Sequence, residues 1–182
     1  MPEPTAPAET IATHRPLILP EGYDHRLNLR ETEVGIKFIK DRFERALAEA
    51  LNLTRVSAPV MVPSDTGVND HLTGVERPVR FGIRAVGHDA EIVQSLAKWK
   101  RLALDAYGFG PGEGLYTDMN AIRPDEALDN LHSVYVDQWD WERVLGPGER
   151  DLAFLREVVR RIYAVIRDTE QVVFPLVGDG AG

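Results

Sequence analysis

The sequence contains no cysteine. A disulfide framework and a thiolate metal site are therefore both excluded. The five histidines do not occur at the spacing of a zinc site either. No apolar run approaches the length of about 20 residues that a membrane-spanning helix requires. These absences predict a protein without a membrane segment and without a structural zinc.

Basic residues are too few for a dedicated nucleic-acid binder. The chain has 21 Lys and Arg against 29 Asp and Glu, which gives a net charge of -8. Contact with a phosphate backbone needs a basic surface, so we expect no nucleic-acid partner, although cations confined to a pocket could bind one nucleotide. The first ten residues, MPEPTAPAET, lack the basic and apolar regions of a signal peptide, and we expect a cytoplasmic location.

The 182 residues are enough for one domain with a hydrophobic core. Residues 1–20 are rich in Pro, Ala, Glu and Thr, which predicts a disordered extension. Residues 173–182 are predicted to be a loose tail. The long stretch between them contains the predicted helices and strands.

Hydrophobic periodicity predicts an α+β fold with an antiparallel sheet. The predicted helices are 30–51, 95–107 and 149–172. The predicted strands are 54–62, with Pro59 at a sheet edge, 79–85, 115–123 and 132–141. A polar loop covers 64–74, and the last two strands are close enough in sequence to pair as an antiparallel hairpin.

Lys100 is a candidate site residue because of its place on the helix 95–107. An apolar stripe along this helix consists of Leu96, Trp99, Ala103 and Tyr107. Lys100 falls within that stripe, whereas Lys98 and Arg101 fall on the opposite side. The lysine either extends its stem over apolar surface with its head in water, or holds its ammonium in a pocket to bind an anion.

The hairpin 115–141 contributes three more candidates. Alternation puts Gln138 and Asp140 on one strand face with two valines, where they could recognise an ammonium and a carboxyl or amide group. A solvated strand end explains them equally well. Arg123 ends the first strand and could present its planar fork to a carboxylate or phosphate, or could form a surface ion pair with Asp125 or Glu126.

Two further segments are less specific. Asp70 lies in the polar loop 64–74 between Asn69 and His71. The composition of this loop alone indicates that Asp70 is a turn residue. The run GFGPGEG lacks the Gly-Lys-Ser/Thr ending of a phosphate-binding loop. It neither follows a predicted strand nor opens a predicted helix, so we interpret it as a plain turn.

Six segments together resemble the ammonia-dependent asparagine synthetases, the aspartate–ammonia ligase family. The matching runs are ETEVGIKFIKDRF, LNLTRVSAPV, GVNDHLTGVERPV, EIVQSLAKWKR, GEGLYTDMNAIRPDE and LHSVYVDQWDWERV. The resemblance extends over about residues 17–170. It implies a catalytic core similar to that of class II aminoacyl-tRNA synthetases, an antiparallel sheet flanked by helices, which acts as a homodimer through the helix from Arg30 and the strand ending at Pro59.

The resemblance also implies a reaction and its residues. L-aspartate would be activated by ATP with Mg²⁺ as a β-aspartyl adenylate, and ammonia would then displace AMP. The implied catalytic residues are Lys100, Arg123 and Asp70. The implied substrate-binding residues are Gln138, Asp140, Asp70 and Lys100, and the implied ATP-binding residues are Arg123, Asp125 and His132, with no metal ligand in this portion.

One departure from the family concerns the third sequence motif of class II enzymes, whose arginine and acidic residues complete the adenine and magnesium sites. Nothing similar follows the predicted helix 149–172. We therefore expect 21–172 to be the N-terminal part of such a catalytic domain, C-terminally incomplete, and to make little or no asparagine alone. The alternative is a non-catalytic dimerising or ligand-sensing module of the same fold.

Overall fold

The computed structural model describes residues 17–178. Its helices and strands are, in chain order, α1 (Leu29–Leu51), β1 (Leu53–Arg55), β2 (Met61–Pro63), β3 (Arg80–Ile83), β4 (His88–Ile92), α2 (Ala97–Ala106), β5 (Gly114–Ile122), β6 (Tyr135–Arg143) and α3 (Leu152–Gly178). Most of the predicted disordered extension 1–20 lies outside the described residues. Residues 17–20 are exposed and belong to no helix or strand.

Helix α1 begins and ends where local hydrogen bonding requires. The Asn28 side chain accepts from the Glu31 backbone amide, and the Glu31 carboxylate accepts from the Asn28 amide in return, which forms a capping box. At the other end, Asn52 adopts a left-handed conformation with φ of 56°. Asparagine tolerates this conformation better than most residues, and the chain turns there directly into β1.

The larger sheet has the strand order β1-β5-β6. Strands β5 and β6 form the predicted antiparallel hairpin, with pairs from Gly114 and Arg143 to Ile122 and Tyr135. Helices α1 and α3 pack on one face around Leu47, Leu51, Val158 and Val165. Helix α2 covers the other face, where Leu96, Leu104, Leu115 and Met119 are buried. The result is the predicted α+β architecture, a sheet flanked by helices.

The smaller sheet has the order β2-β4-β3 and is antiparallel throughout. Strand β4 was not predicted, because its sequence, HDAEI, is rich in charged residues and shows no apolar alternation. The predicted strand 79–85 is present as the shorter β3, but its side chains are largely exposed rather than half-buried.

The prediction of one strand over 54–62 is wrong. The chain leaves the larger sheet after Arg55 and enters the smaller sheet at Met61. Pro59 lies between them and has no backbone N–H to contribute to a ladder, which favours the break there. Strand β1 also pairs parallel to β5, unlike the predicted antiparallel sheet, because the smaller sheet and α2 form a long crossover between these two strands.

The boundaries of α3 also differ from the prediction. The helix begins at Leu152 because the Asp151 carboxylate accepts from the Phe154 amide at 2.7 Å and caps it. It runs to Gly178, so residues 173–178 are helical rather than a loose tail, and no glycine interrupts the helix before that position. Residues 179–182 lie outside the described part. None of the helices described is both long and apolar enough to cross a bilayer.

The close approach of three strands at Gly114 generates a stability prediction. A Cβ there would lie 2.5 Å from the Glu142 carbonyl oxygen and 2.6 Å from Leu53 Cδ2. We expect Gly114→Ala to lower the free energy of unfolding by about 1–3 kcal/mol through overpacking, measured by urea unfolding. Gly35→Ala in α1 is the control, since its Cβ would meet nothing within 4 Å. Equal stability of the two variants would contradict the packing argument.

Candidate active site

The candidate site lies between α2 and the larger sheet, and Lys100 is its most buried member. The side chain of Lys100 is 0% exposed. The predicted apolar stripe of α2 is buried as expected at Leu96 and Ala103, and Trp99 packs between the two apolar clusters. Tyr107, at the end of the helix, is exposed instead. Lys100 therefore does not extend its head into water, and its ammonium needs an internal partner.

Strand β6 supplies that partner through its register. Asp140 pairs with Thr117 and Gln138 pairs with Met119 across the hairpin, so both polar residues share the sheet face that α2 covers. The Asp140 carboxylate forms an ion pair with Lys100 Nζ. Asp140 itself remains 23% exposed, so the buried pair opens toward solvent on the carboxylate side.

Arg123 joins the same face from the end of β5. Its Nε donates to the Gln94 carbonyl oxygen at 3.3 Å, and Nη2 donates to Gln138 Oε1 at 3.4 Å. Glu126 lies 4.0 Å from Nη1, and Asp125 makes no ion pair with this guanidinium. The structure thus places Lys100, Arg123, Gln138 and Asp140 on one face of the sheet as two contacting pairs, Lys100 with Asp140 and Arg123 with Gln138.

Asp125 and His132 lie in the loop region that joins β5 to β6. Asp125 accepts two hydrogen bonds from the Arg77 guanidinium, at 3.1 and 2.6 Å, and a third from its amide at 2.8 Å. These bonds lower the pKa of Asp125 to about 2, so the carboxylate is ionised at neutral pH. His132 contacts Asp129 through Nδ1 at 2.8 Å and is exposed. Neither residue contacts the four-residue site directly.

Asp70 is also separate from those four residues. Its carboxylate lies 3.6 Å from Lys98 Nζ, and its amide donates to the Ser95 carbonyl oxygen at 3.4 Å. Both contacts hold Asp70 beside the N-terminal end of α2. The hydrogen bonds and ion pairs of the described residues do not join Asp70 to Lys100, Arg123, Gln138 or Asp140, and its role stays a prediction.

Three functional groups were missed in the sequence. Gln94 is fully buried and contacts both Arg123 and the carbonyl of Arg77, while its side-chain Oε1 has no hydrogen-bond partner among the described residues. Glu91 is a buried carboxylate on the unpredicted strand β4. Glu142 lies on the sheet face of Asp140, and burial raises its pKa. The alternation along β6, which puts Gln138, Asp140 and Glu142 on one face, could have pointed to Glu142, but no sequence signal marked Glu91 as buried.

The described residues do not form a metal cage. No group of three or more His, Asp or Glu side chains among residues 17–178 is arranged to hold a metal ion. Asp140 is committed to Lys100 and Asp125 to Arg77. The donor set of this part of the chain therefore does not fit Mg²⁺ held by protein ligands alone.

Comparison with solved structures defines the class of the fold. A histidyl-tRNA synthetase-like protein from Bacillus halodurans, described as an ATP phosphoribosyltransferase regulatory subunit/histidyl-tRNA synthetase, matches with a TM-score of 0.53 and 14% sequence identity. The match covers 89% of this chain and 40% of the other. At that identity the likeness concerns the fold alone, and the fold is that of a class II aminoacyl-tRNA synthetase core.

Sequence comparison then identifies the family. The family model described as aspartate-ammonia ligase matches residues 30–177. Aspartate–ammonia ligases from Ruminiclostridium cellulolyticum and Clostridium tetani are 61% and 54% identical over 85% and 90% of this chain. The chain belongs to the aspartate–ammonia ligase family. It spans about half the length of these relatives, 46% and 49% respectively.

The buried ion pair of Lys100 and Asp140 generates a prediction on stability. We expect Asp140→Asn alone to lower the free energy of unfolding by about 3 kcal/mol, because it leaves an uncompensated ammonium in the interior. The double variant Lys100→Met and Asp140→Asn removes the stranded charge and should be more stable than that single variant. Urea unfolding measures both.

The matched control for this pair is the exposed ion pair of Lys40 and Asp137. Asp137→Asn should cost no more than about 1 kcal/mol, because solvent screens both partners. A double variant of Lys100 and Asp140 that is no more stable than Asp140→Asn would contradict the prediction, since it would show that the stranded ammonium is not the cause of the loss.

Proposed function

We propose that this site binds L-aspartate and ATP for the amidation of aspartate by ammonia. The observation that carries the proposal is the buried ion pair of Lys100 and Asp140 beside Arg123 and Gln138. Membership of the aspartate–ammonia ligase family supports it. Since the chain spans about half of its relatives, the proposal concerns the part of the reaction that these residues serve.

Recognition of aspartate follows from charge complementarity. An amino acid carries an ammonium and a carboxylate close together, and the pair of Lys100 and Asp140 offers the two opposite charges at a similar separation. The partly exposed Asp140 would bind the substrate ammonium, and Lys100 would turn one donor toward a substrate carboxylate. Gln138, whose Oε1 is already bound to Arg123, would donate from its amide nitrogen to the same substrate.

Activation of the side-chain carboxylate requires two anions to approach each other. A β-carboxylate oxygen would attack the α-phosphorus of ATP, the bond from phosphorus to the pyrophosphate oxygen would break, and pyrophosphate would leave. Arg123 would neutralise the charge that develops on the α-phosphate, because two of its nitrogens are already oriented by Gln94 and Gln138. Asp125 would act on ATP by orienting the exposed Arg77, and His132 would lie at the mouth of the site.

Amidation completes the proposed reaction. The ammonia nitrogen would attack the acyl carbon of β-aspartyl adenylate, the bond to the phosphate oxygen would break, and AMP would leave. Ammonia arrives mainly as ammonium and must lose one proton before it attacks, and the bound nitrogen loses a second proton, to water, as AMP leaves. We assign the acceptance of the first proton to Asp70, on the resemblance to the family, with a movement of its carboxylate away from Lys98.

Ligand binding gives the first test. We expect the chain to bind a hydrolysis-resistant analogue of β-aspartyl adenylate in isothermal titration calorimetry. Arg123→Ala should weaken binding about ten- to a hundredfold, because it removes charge-assisted hydrogen bonds to the phosphate. Arg84→Ala, an exposed arginine after β3, is the control and should bind like the wild type. Equal affinities of the two variants would remove Arg123 from the site.

Turnover gives the second test of the same proposal. The assay measures AMP release that depends on aspartate, ammonia and ATP together. It is run on this chain and on a chimera with the remaining half of the Ruminiclostridium cellulolyticum relative, because the relatives are about twice as long. We expect release by the chimera, reduced about 10²–10³-fold by Arg123→Ala. Analogue binding without AMP release by either protein would favour a non-catalytic ligand-binding module instead.

The homodimer is also proposed, and exposed apolar residues on α1 support it. Val34, Ile36, Phe38 and Ile39 are all exposed on this helix. Exposed apolar side chains favour burial against another protein surface, and the family resemblance assigns this helix to the dimer interface.

Sedimentation equilibrium at micromolar concentration tests the dimer. We expect a dimer for the wild type and a monomer for Phe38→Glu, because the substitution places a charge in the proposed apolar interface. Leu102→Glu, at an exposed leucine of α2, is the control and should remain dimeric. A well-folded monomeric wild type would contradict the proposal.

A further inference from the structure

Glu91 is a buried carboxylate for which the proposed reaction has no use. Its side chain is 1% exposed and accepts hydrogen bonds from Arg80 Nε at 3.2 Å, His71 Nε2 at 3.0 Å and Asn69 Nδ2 at 3.1 Å. Burial acts to raise the pKa of Glu91, but these bonds outweigh it, and the pKa is lowered. The carboxylate is therefore ionised at neutral pH. A buried ion network by itself is weak evidence for stability. The stability of the fold therefore does not explain why Glu91 has these three partners.

Two of the partners flank Asp70 in the sequence. Asn69 and His71 both contact the same oxygen, Glu91 Oε2. Asn69 also donates to the Ile92 carbonyl oxygen at 3.2 Å. The loop is thus attached to β4 on both sides of Asp70, and little freedom remains for the intervening residue. One carboxylate therefore fixes where the Asp70 side chain leaves the backbone.

The same carboxylate connects to Arg123 through consecutive hydrogen bonds. Asn69, held by Glu91, accepts from the Gln94 amide through Oδ1 at 2.9 Å. The carbonyl oxygen of Gln94 in turn accepts from Arg123 Nε at 3.3 Å. The hydrogen bond from the Gln94 amide to Asn69 is buried, and the bond from Arg123 to the Gln94 carbonyl is partly buried. An unmade hydrogen bond is costly in such places, so the geometry of these groups is restricted.

We propose that Glu91 is a positioning residue that sets the placement of Asp70 and Arg123 relative to each other. It acts on Asp70 through Asn69 and His71. It acts on Arg123 through Asn69 and Gln94. The inference rests on the proposed function, in which Arg123 holds the α-phosphate and Asp70 receives the ammonium proton. A displacement of catalytic groups by about 1 Å lowers the rate of a reaction strongly. A residue that fixes the positions of Asp70 and Arg123 would therefore affect the rate.

Nuclear magnetic resonance of Glu91→Gln tests the positioning without any ligand. The substitution removes the negative charge that holds Asn69 and His71. We expect the Arg123 Nε–H signal to shift and the Asp70 amide to exchange with solvent about tenfold faster, the factor that one net hydrogen bond represents. Arg80→Gln is the matched control, because Arg80 is exposed and contacts the other carboxylate oxygen, Glu91 Oε1, and within residues 17–178 it makes no hydrogen bond or ion pair with Asn69, Gln94 or Arg123. It should change neither reading.

Binding of the aspartyl adenylate analogue tests the consequence. Glu91→Gln should weaken binding about five- to tenfold in the wild-type background and have no further effect in the Arg123→Ala background, because it acts through that arginine. Loss of affinity by the same factor in both backgrounds would show that Glu91 does not act through Arg123 and would overturn the proposal. If the wild type itself does not bind the analogue, the proposed function fails, whereas the two resonance readings still decide the role of Glu91.

A second variant keeps the test decisive if Glu91→Gln does not fold. Asn69→Ser breaks the connection to Gln94 but leaves Glu91 bonded to Arg80 and His71. We expect the Arg123 Nε–H signal to shift in this variant as well, and Glu91→Asp, which retains the charge, to recover part of the wild-type signal position. An Arg123 signal that is unchanged in Asn69→Ser, or in a folded Glu91→Gln, overturns the proposal.

Discussion

The ion pair between Lys100 and Asp140 is the interaction on which the candidate site depends. Lys100 belongs to α2, and its ammonium is completely buried between this helix and the sheet. A charge there is tolerated only with a partner in contact. That requirement restricts the packing of α2 on the sheet and the register of the β5–β6 hairpin together. A shift of one residue in β6 would turn Asp140 to the α1 face and leave the lysine unpaired.

The other candidate residues belong to two parts of the fold, and both parts bond to Gln94. The hairpin provides Arg123, Gln138 and Asp140, whereas the smaller sheet, through Glu91, holds the loop that carries Asp70. Gln94 lies two residues after the end of β4 and bonds to both parts through its backbone. A ligand between α2 and the sheet would therefore contact groups whose relative positions are set by hydrogen bonds and not by side-chain packing alone.

Prediction succeeded where periodicity was strong. Helices α1 and α2 and the β5–β6 hairpin lie within a few residues of their predicted bounds, because each has a regular apolar face that tertiary packing then buries. It failed where the chain changes sheets around Pro59 and at the charged strand β4. In both places long-range pairing, rather than the local sequence, decides the conformation.

The sequence by itself determined the α+β fold class and the place of Lys100 within the apolar stripe of α2, because helical and strand periods assign side chains to faces without reference to the rest of the chain. The family followed from the resemblance of six segments and not from periodicity. Only the tertiary structure decided which charges meet. Asp140 rather than solvent contacts Lys100, Arg77 rather than Arg123 binds Asp125, and the buried Glu91 contacts Asn69 and His71, the two neighbours of Asp70 in the sequence. Such pairings join residues far apart in sequence, and their energies depend on burial that no local pattern reports.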